Sequence, residues 1–343
     1  MTLVTKGIDR ERFQVSVCIL DGEGPVADHL RSLGATVTTI GRGPFAAARF
    51  FSVVRASRPD ILHANTGGRL FRRIAWIAGT RRSIVHLHGP GWNWAALRAS
   101  DPLRLRALLI ASTANATRRI VCAEWMAKFF TDVVGKGAEV SAIQYGIDLP
   151  GQRSRDDARR ELGLPGDKVV VGYTGRLSHE KGVADLCGIF SDVASRRPEC
   201  AFVAIGDGPM MSDLAALRTR VGMERLALPG FRLDAVQLLS AIDVVVMPSH
   251  REGLSLSHLE AMGAGRAIVG YDVEGLIESG RNGVTGFYVP RLDTHAAADA
   301  VIALVDDAPM RERFGLEARR IVSTHFTIER MTREVESLYS SLV

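Results

Sequence analysis

Short runs of valine, isoleucine and leucine alternate with helix-length segments along almost the whole chain, and this alternation leaves few folds open. In the first half, strand-like runs fall at 15–20, 37–40, 61–64, 84–87, 120–122 and 140–143, with helix-like segments at 26–33, 45–56, 70–78 and 103–116 between them. The runs are apolar on both faces, as strands must be when helices cover both sides of a sheet. Strand–helix–strand repeats imply parallel pairing. The pattern breaks once. The stretch 145–167 carries Gly146, Pro150, Gly151, Gly163, Pro165 and Gly166 around a charged helical segment at 154–162, which reads as a linker and a new start. A second series follows, with strands at 169–173, 202–205, 244–247 and 267–271 and helices at 183–195, 209–220, 257–264 and 295–305. The 343 residues are enough for two cores. The expected architecture is therefore α/β, with two doubly wound domains. In such sheets ligands sit beyond the carboxyl ends of the strands, so the residues just after each strand matter most.

Composition narrows the function classes. Apolar residues make up 46% and charged residues 24%, which excludes a disordered chain. The longest uncharged apolar stretch, 107–117, is interrupted by Ser112, Thr113, Asn115 and Thr117 and is too short to span a bilayer. The start has no basic-then-apolar export pattern. Cys18, Cys122, Cys187 and Cys200 are scattered without a C-x-x-C pair, which fits a reducing compartment, so a cytoplasmic location is expected. Charge is uneven. Residues 1–150 carry 20 Lys and Arg against 11 Asp and Glu, a net of +9, whereas residues 151–343 carry 23 against 27, a net of −4. The basic half suggests an anionic surface as partner, either phospholipid or a phosphorylated acceptor; ordinary arginine-rich composition is the other reading. Its arginine clusters are short and interleaved with apolar residues, so nucleic acid is not expected.

Two stretches carry candidate chemistry. The first runs Tyr173-Thr174-Gly175-Arg176-Leu177-Ser178-His179-Glu180-Lys181-Gly182 directly after a strand. Gly175 lets a ligand approach the backbone, while Arg176 and Lys181 stand at the start of the next helix, where a diphosphate finds two cations and free amides. A solvated pair on a loop is the alternative. The second runs from Pro248 to Gly265, with Glu252 in the post-strand loop and Glu260 eight residues later in a helix. Gly253, Leu254 and Ser255 place amides at that helix start. A carboxylate there can accept two ribose hydroxyls, or can simply sit on an exposed face. In the first half, His86 and His88 share one face of a strand end. Metal ligation with a third partner such as His63 and a structural role both remain open.

Taken together, these motifs resemble the retaining glycosyltransferases of family 4, which have the GT-B architecture. The G-R-L-x-x-x-K-G segment from Gly175 to Gly182 and the E-x7-E segment from Glu252 to Glu260 match in order and separation. Gly206-Asp207-Gly208-Pro209, Pro229-Gly230-Phe231 and the Gly-x-Thr-Gly turn ending at Gly286 match further landmarks, and Tyr145-Gly146-Ile147-Asp148 matches the domain exit. The resemblance covers nearly the whole chain. It implies two Rossmann-like domains facing across a cleft: an acceptor-side domain at 1–148, joined by a C-terminal helix at 328–343, and a nucleotide-sugar-binding domain at 149–327. It implies that Arg176 and Lys181 grip the donor diphosphate, that Glu252 contacts the donor sugar, and that Glu260 holds the ribose. Leu254 and Ser255, with Gly253, would form the phosphate turn, and Phe231-Arg232 would lie beside the base. His88 would lie near sugar and acceptor, with Trp92 and Trp94 in the acceptor wall. The implied activity is transfer of a sugar from a nucleotide-sugar donor to a glycan or lipid-linked acceptor in cell-surface polysaccharide or glycolipid synthesis; separately, the basic charge of the first domain suggests peripheral contact at the inner membrane face. The sequence contains no D-x-D, so Arg176 and Lys181 are expected to do without a metal, and no cofactor is expected.

Three departures bear on that expectation. The first strand and Gly-rich loop of the resembled family have no counterpart, since 7–13 already reads as the connection into its second strand. Glu274 stands where glycine is usual, and Ile277 where proline is usual. The alternative reading is a catalytically inactive nucleotide-sugar-binding protein or a truncated fragment. A phosphorylase, an epimerase and a dehydrogenase are weaker: no pyridoxal-phosphate lysine site is found, and no G-x-G-x-x-G follows an early strand.

Overall fold

The computed structural model describes the chain apart from positions 1, 21, 66–67, 90–97, 136–138, 150 and 152. Two compact units emerge, one formed by Met1–Gly146 with Ile328–Val343 and the other by Ile147–Thr327.

The first unit contains α1 (Thr2–Gly7), β1 (Ser16–Ile19), α2 (Pro25–Ser32), β2 (Thr36–Thr39), α3 (Ala46–Ser57), β3 (Ile61–Ala64) and α4 (Arg69–Ala78). It continues with β4 (Arg82–Leu87), α5 (Pro102–Thr113), β5 (Arg118–Val121), α6 (Glu124–Val134) and β6 (Ser141–Ala142). All pairings are parallel, but among the described residues they form two separate sheets, β1-β2 and β3-β4-β5-β6. Both pieces nevertheless share cores: Cys18 and Leu20 from the first and Leu62 from the second pack on Phe50, Val54 and Ala75. In β4, Ser83 through His86 are buried, whereas β1 and β3 remain partly exposed along their length.

The second unit opens with α7 (Arg155–Leu162), capped by Ser154, whose hydroxyl accepts from the Asp157 amide. It continues with β7 (Val170–Thr174), a 3₁₀ turn at His179–Lys181, α8 (Val183–Arg196), β8 (Ala201–Ile205), α9 (Met211–Val221), β9 (Leu226–Gly230) and α10 (Ala235–Leu238). Then come β10 (Val244–Met247), α11 (Leu256–Gly263), β11 (Ala267–Tyr271), α12 (Glu274–Ile277), β12 (Gly286–Val289), α13 (Thr294–Asp306) and α14 (Ala308–His325). Its six parallel strands run β12-β11-β10-β7-β8-β9. The four inner strands are buried at every residue, which explains their unbroken Val and Ile runs. The last helix, α15 (Ile328–Ser340), belongs to the first unit, where Met331 and Val335 join Ile84, Ile120 and Ile143.

A buried ion pair fastens the linker helix to the second sheet. Arg159, 1% exposed, donates to Asp243 Oδ2 at 2.6 Å and to the carbonyls of Ala241, Pro165, Gly166 and Lys168. The same Asp243 oxygen accepts from the Val170 amide at 2.7 Å, so one carboxylate ties the roots of β7 and β10 to α7. A charge in such a place persists only when every donor has an acceptor.

Candidate functional site

The two sequence stretches singled out for chemistry meet beyond the carboxyl ends of β7 and β10, which pair directly. Gly175 leaves β7 with its amide bonded to the Ile205 carbonyl at 3.0 Å, and the next turn is fixed when Tyr173 Oη donates to the Arg176 carbonyl at 2.9 Å. The turn then rests on the loop after β10. Gly182 has φ +68°, and a Cβ there would lie 1.8 Å from the Pro248 carbonyl oxygen, so only glycine permits this approach. The His250 amide donates to the Glu180 carbonyl at 3.0 Å and closes the seam.

That seam sets Lys181 against Glu252. The ammonium donates to Glu252 Oε1 at 2.7 Å, and the two side chains are 22% and 9% exposed. Glu252 is itself wedged: a Cβ on Gly275, in α12, would fall 2.5 Å from the Glu252 carbonyl oxygen. Arg176 takes a different partner, pairing with Glu180 at 2.7 Å while its guanidinium stays largely in solvent. Gly253, Leu254 and Ser255 are buried and lead into α11. Ser255 occupies the N-cap position without capping, and its buried hydroxyl has no hydrogen-bond partner. The amides of a helix's first turn have no intrahelical acceptor, so this hydroxyl stands at a helix start that favours an anion.

Glu260 lies one turn further into α11. Its carboxyl has no hydrogen-bond or ion-pair partner among the described residues, and burial pushes its pKa up to about 7. Ser257, on the same helix, has its hydroxyl 3.6 Å from where a Gly175 Cβ would stand, so the first turn of α11 and the end of β7 are neighbours. A hydroxyl-bearing ligand would give this carboxylate the donors it lacks.

The remaining expected residues are placed differently. Phe231 is 66% exposed, and Arg232 is engaged by Asp234 at 2.9 Å and by Glu161. His88 belongs to the first unit, where Tyr145 Oη lies 2.6 Å from Nδ1 and Asn65 Oδ1 lies 2.9 Å from Nε2; burial lowers its pKa to about 4, so the ring is neutral near pH 7. His63 and His86 bond to each other at 3.2 Å, and His63 also bonds to Tyr339 of α15 at 2.6 Å. Among the described residues, no three His, Cys, Asp or Glu side chains are arranged to hold a metal. Trp92 and Trp94 lie outside the described residues.

Sequence reasoning missed the residues that hold the site in place. Asp185, in the first turn of α8, accepts from Tyr271 Oη at 2.9 Å and lies 2.9 Å from His250 Nε2. These contacts tie α8, the loop after β10 and the end of β11 together. Their only sequence signal is that each falls within a few residues of a strand end or helix start.

Comparison with known proteins finds matches over most of the chain. Residues 154–321 match the family model for group 1 glycosyl transferases, and residues 2–150 match that for glycosyltransferase family 4. Alpha-D-kanosaminyltransferase of Streptomyces kanamyceticus is 31% identical over 198 residues, which are 57% of this chain and 51% of that protein, so the chain spans about half of that relative. The lipopolysaccharide core biosynthesis mannosyltransferase LpsB of Rhizobium meliloti is 26% identical over 336 residues, 91% of each chain. Among solved structures, Anabaena HepE in complex with UDP and glucose superposes with a TM-score of 0.84 at 22% identity, covering 99% of this chain and 94% of its own. That likeness shows a shared α/β fold with parallel sheets.

Proposed function

Because the chain belongs to the group 1 and family 4 glycosyltransferases, we propose that it transfers a sugar from a nucleotide-sugar donor to a glycan or lipid-linked acceptor, with retention of anomeric configuration and without a metal. The observation that carries the reading is the apposition of Lys181 and Glu252 beyond the β7 and β10 ends, beside the unpartnered Ser255 hydroxyl and the desolvated Glu260. In the transfer, the bond between sugar C1 and the diphosphate oxygen breaks and the acceptor oxygen bonds to C1. The nucleoside diphosphate leaves with the bonding pair, and the proton of the acceptor hydroxyl passes to the departing diphosphate oxygen. Charge therefore grows on the diphosphate, where Lys181, Arg176 and the amides leading into α11 would stabilise it. Glu252, held by Lys181, would meet sugar hydroxyls, and Glu260 would meet the ribose. His88, neutral near pH 7, has both ring nitrogens engaged by Tyr145 and Asn65, so it would meet a sugar or acceptor hydroxyl only by giving up one of these bonds.

The acceptor class is supported by the name of LpsB, a lipopolysaccharide core enzyme, and by the net charge of +9 on residues 1–150. An enzyme of cell-surface polysaccharide or glycolipid synthesis that uses such an acceptor would work in the cytoplasm at the inner face of the membrane. Incubation with a panel of nucleotide sugars and lipid-linked acceptors tests the reading. An α-configured donor should give an α-linked product, at a rate that EDTA leaves unchanged. A β-linked product would overturn retention, and a loss of rate restored by Mg²⁺ would overturn metal independence. The division of the first unit's strands into two sheets favours a second reading, a nucleotide-sugar binder without turnover. Donor binding with neither transfer nor hydrolysis would establish that reading instead.

A further inference from the structure

We infer that the outer face of the α3–α4–α5 helix layer docks on an anionic phospholipid surface. Helix α3 contacts α4, and α4 contacts α5. The Arg72 guanidinium reinforces the second contact by donating to the Ser112 and Ala114 carbonyls at 2.6 and 3.1 Å. Helices α4 and α5 link neighbouring parallel strands of one sheet, β3 to β4 and β4 to β5, so they lie on the same side of it, and the packing of α3 on α4 extends that layer. Together the three helices carry seven arginines, all exposed except the buried Arg72, and no Asp, Glu or Lys. In the same unit α1 contacts both α2 and α15, and these helices are mixed in charge: α15 alone has Glu329, Glu334 and Glu336.

The layer is also unusually apolar for a surface. On α4, Ala75 and Ala78 face the core, while Leu70, Trp76 and Ile77 are 60%, 56% and 66% exposed beside Arg69 and Arg73. On α5, Leu103, Leu108 and Ile110 are exposed beside Arg104 and Arg106. The Arg81 guanidinium lies 4.3 Å above the Trp76 ring, placing a cation at the level of an exposed indole. Basic residues alone would suit any polyanion. Large apolar side chains standing between them suit a surface with anionic headgroups above hydrocarbon, into which Trp, Leu and Ile can insert. The inference deepens the reading of a lipid-linked acceptor and rests on it only for its purpose, since binding to lipid needs no donor.

Sedimentation with vesicles tests it. The protein should bind vesicles of phosphatidylcholine with phosphatidylglycerol, bind phosphatidylcholine alone far more weakly, and lose binding as salt rises. Arg69→Ala with Arg73→Ala should weaken binding by roughly fivefold per arginine removed. Leu70→Ser with Ile77→Ser should weaken it by about tenfold, most visibly at high salt where the apolar contribution remains. All four positions are exposed, and an unchanged thermal midpoint checks that the variants fold. Absence of vesicle binding, or binding that survives both double variants, would overturn the inference. So would dependence on the arginines alone, with single-stranded RNA competing equally well, which would mark the face as a site for a soluble polyanion. Donor hydrolysis measured in the same preparations without vesicles reports separately on the transferase reading.

Discussion

Replacing Glu260 by glutamine removes a charge that the ligand-free protein holds at a cost. The carboxyl titrates at about 7 in the folded chain because burial disfavours its ionised form, against an ordinary value of 4.5. Below pH 4.5 it is neutral both folded and unfolded and exacts no penalty. Between 4.5 and about 7 the native state keeps a proton that the unfolded chain has lost, so stability falls as pH rises, and above 7 the full penalty stands. At 1.36 kcal/mol per pH unit, that interval corresponds to about 3 kcal/mol. An amide in the same place still lacks hydrogen bonds, which removes part of the gain, so Glu260→Gln should stabilise the protein by about 1–2 kcal/mol at pH 8.5. For a unit of this size, each kcal/mol raises the thermal midpoint by roughly 2–4 °C. Thermal unfolding at pH 4.5, 6 and 8.5 measures the effect. The gain should be largest at pH 8.5 and shrink toward pH 4.5, while affinity for a nucleotide-sugar donor falls by at least about tenfold, because an amide is a poorer acceptor of hydroxyls than a carboxylate. A variant no more stable than the wild type at pH 8.5, or a gain that is the same at all three pH values, would refute the argument.

The fold and the positioning contacts supply further tests. Gly182→Ala forces a side chain into a left-handed backbone and against the Pro248 carbonyl; a loss of about 2 kcal/mol or more in urea unfolding is expected, with a larger proportional loss of donor affinity. Asp243→Ala strands the buried Arg159 guanidinium and should lower stability by about 3–5 kcal/mol, whereas an unchanged urea midpoint would show that the pair is not structural. Asp185→Asn weakens the acceptor shared by Tyr271 and His250; it should raise KM for the donor with little change in urea midpoint, and an unaltered KM would remove Asp185 from its positioning role.

The legible part of the fold was its interior. Strands buried on both faces, such as Val170–Thr174 and Val244–Met247, are written as unbroken apolar runs. The two strands that sequence reading passed over, Leu226–Gly230 and Gly286–Val289, are the outermost of the six-stranded sheet. An edge strand needs a ladder on one side only, so it tolerates Pro229 and the glycine turn before Gly286, which read as loop signals. Helix Glu124–Val134 was also missed, because its cap is Ala123, a residue that gives no start signal. At the site, spacing offered Arg176 and Lys181 as equivalent cations. The structure separates them: Lys181 is half-buried against Glu252, and Arg176 lies largely in solvent. The difference arises from Gly182 and His250, which bring two loops into register across more than sixty residues of chain, and no local pattern encodes a contact of that range. The desolvation of Glu260 was equally unreadable, since it depends on what covers α11.

The central claim is that Lys181 helps bind the diphosphate of a nucleotide sugar. Calorimetric titration of UDP, GDP and ADP into the wild type and Lys181→Ala tests it most directly. One of the three should bind the wild type, and the variant should bind it ten to a hundredfold more weakly, since a charge-assisted contact contributes about 1.5–3 kcal/mol. Equal affinity in a folded variant, or no binding of any of the three by the wild type, would contradict the account.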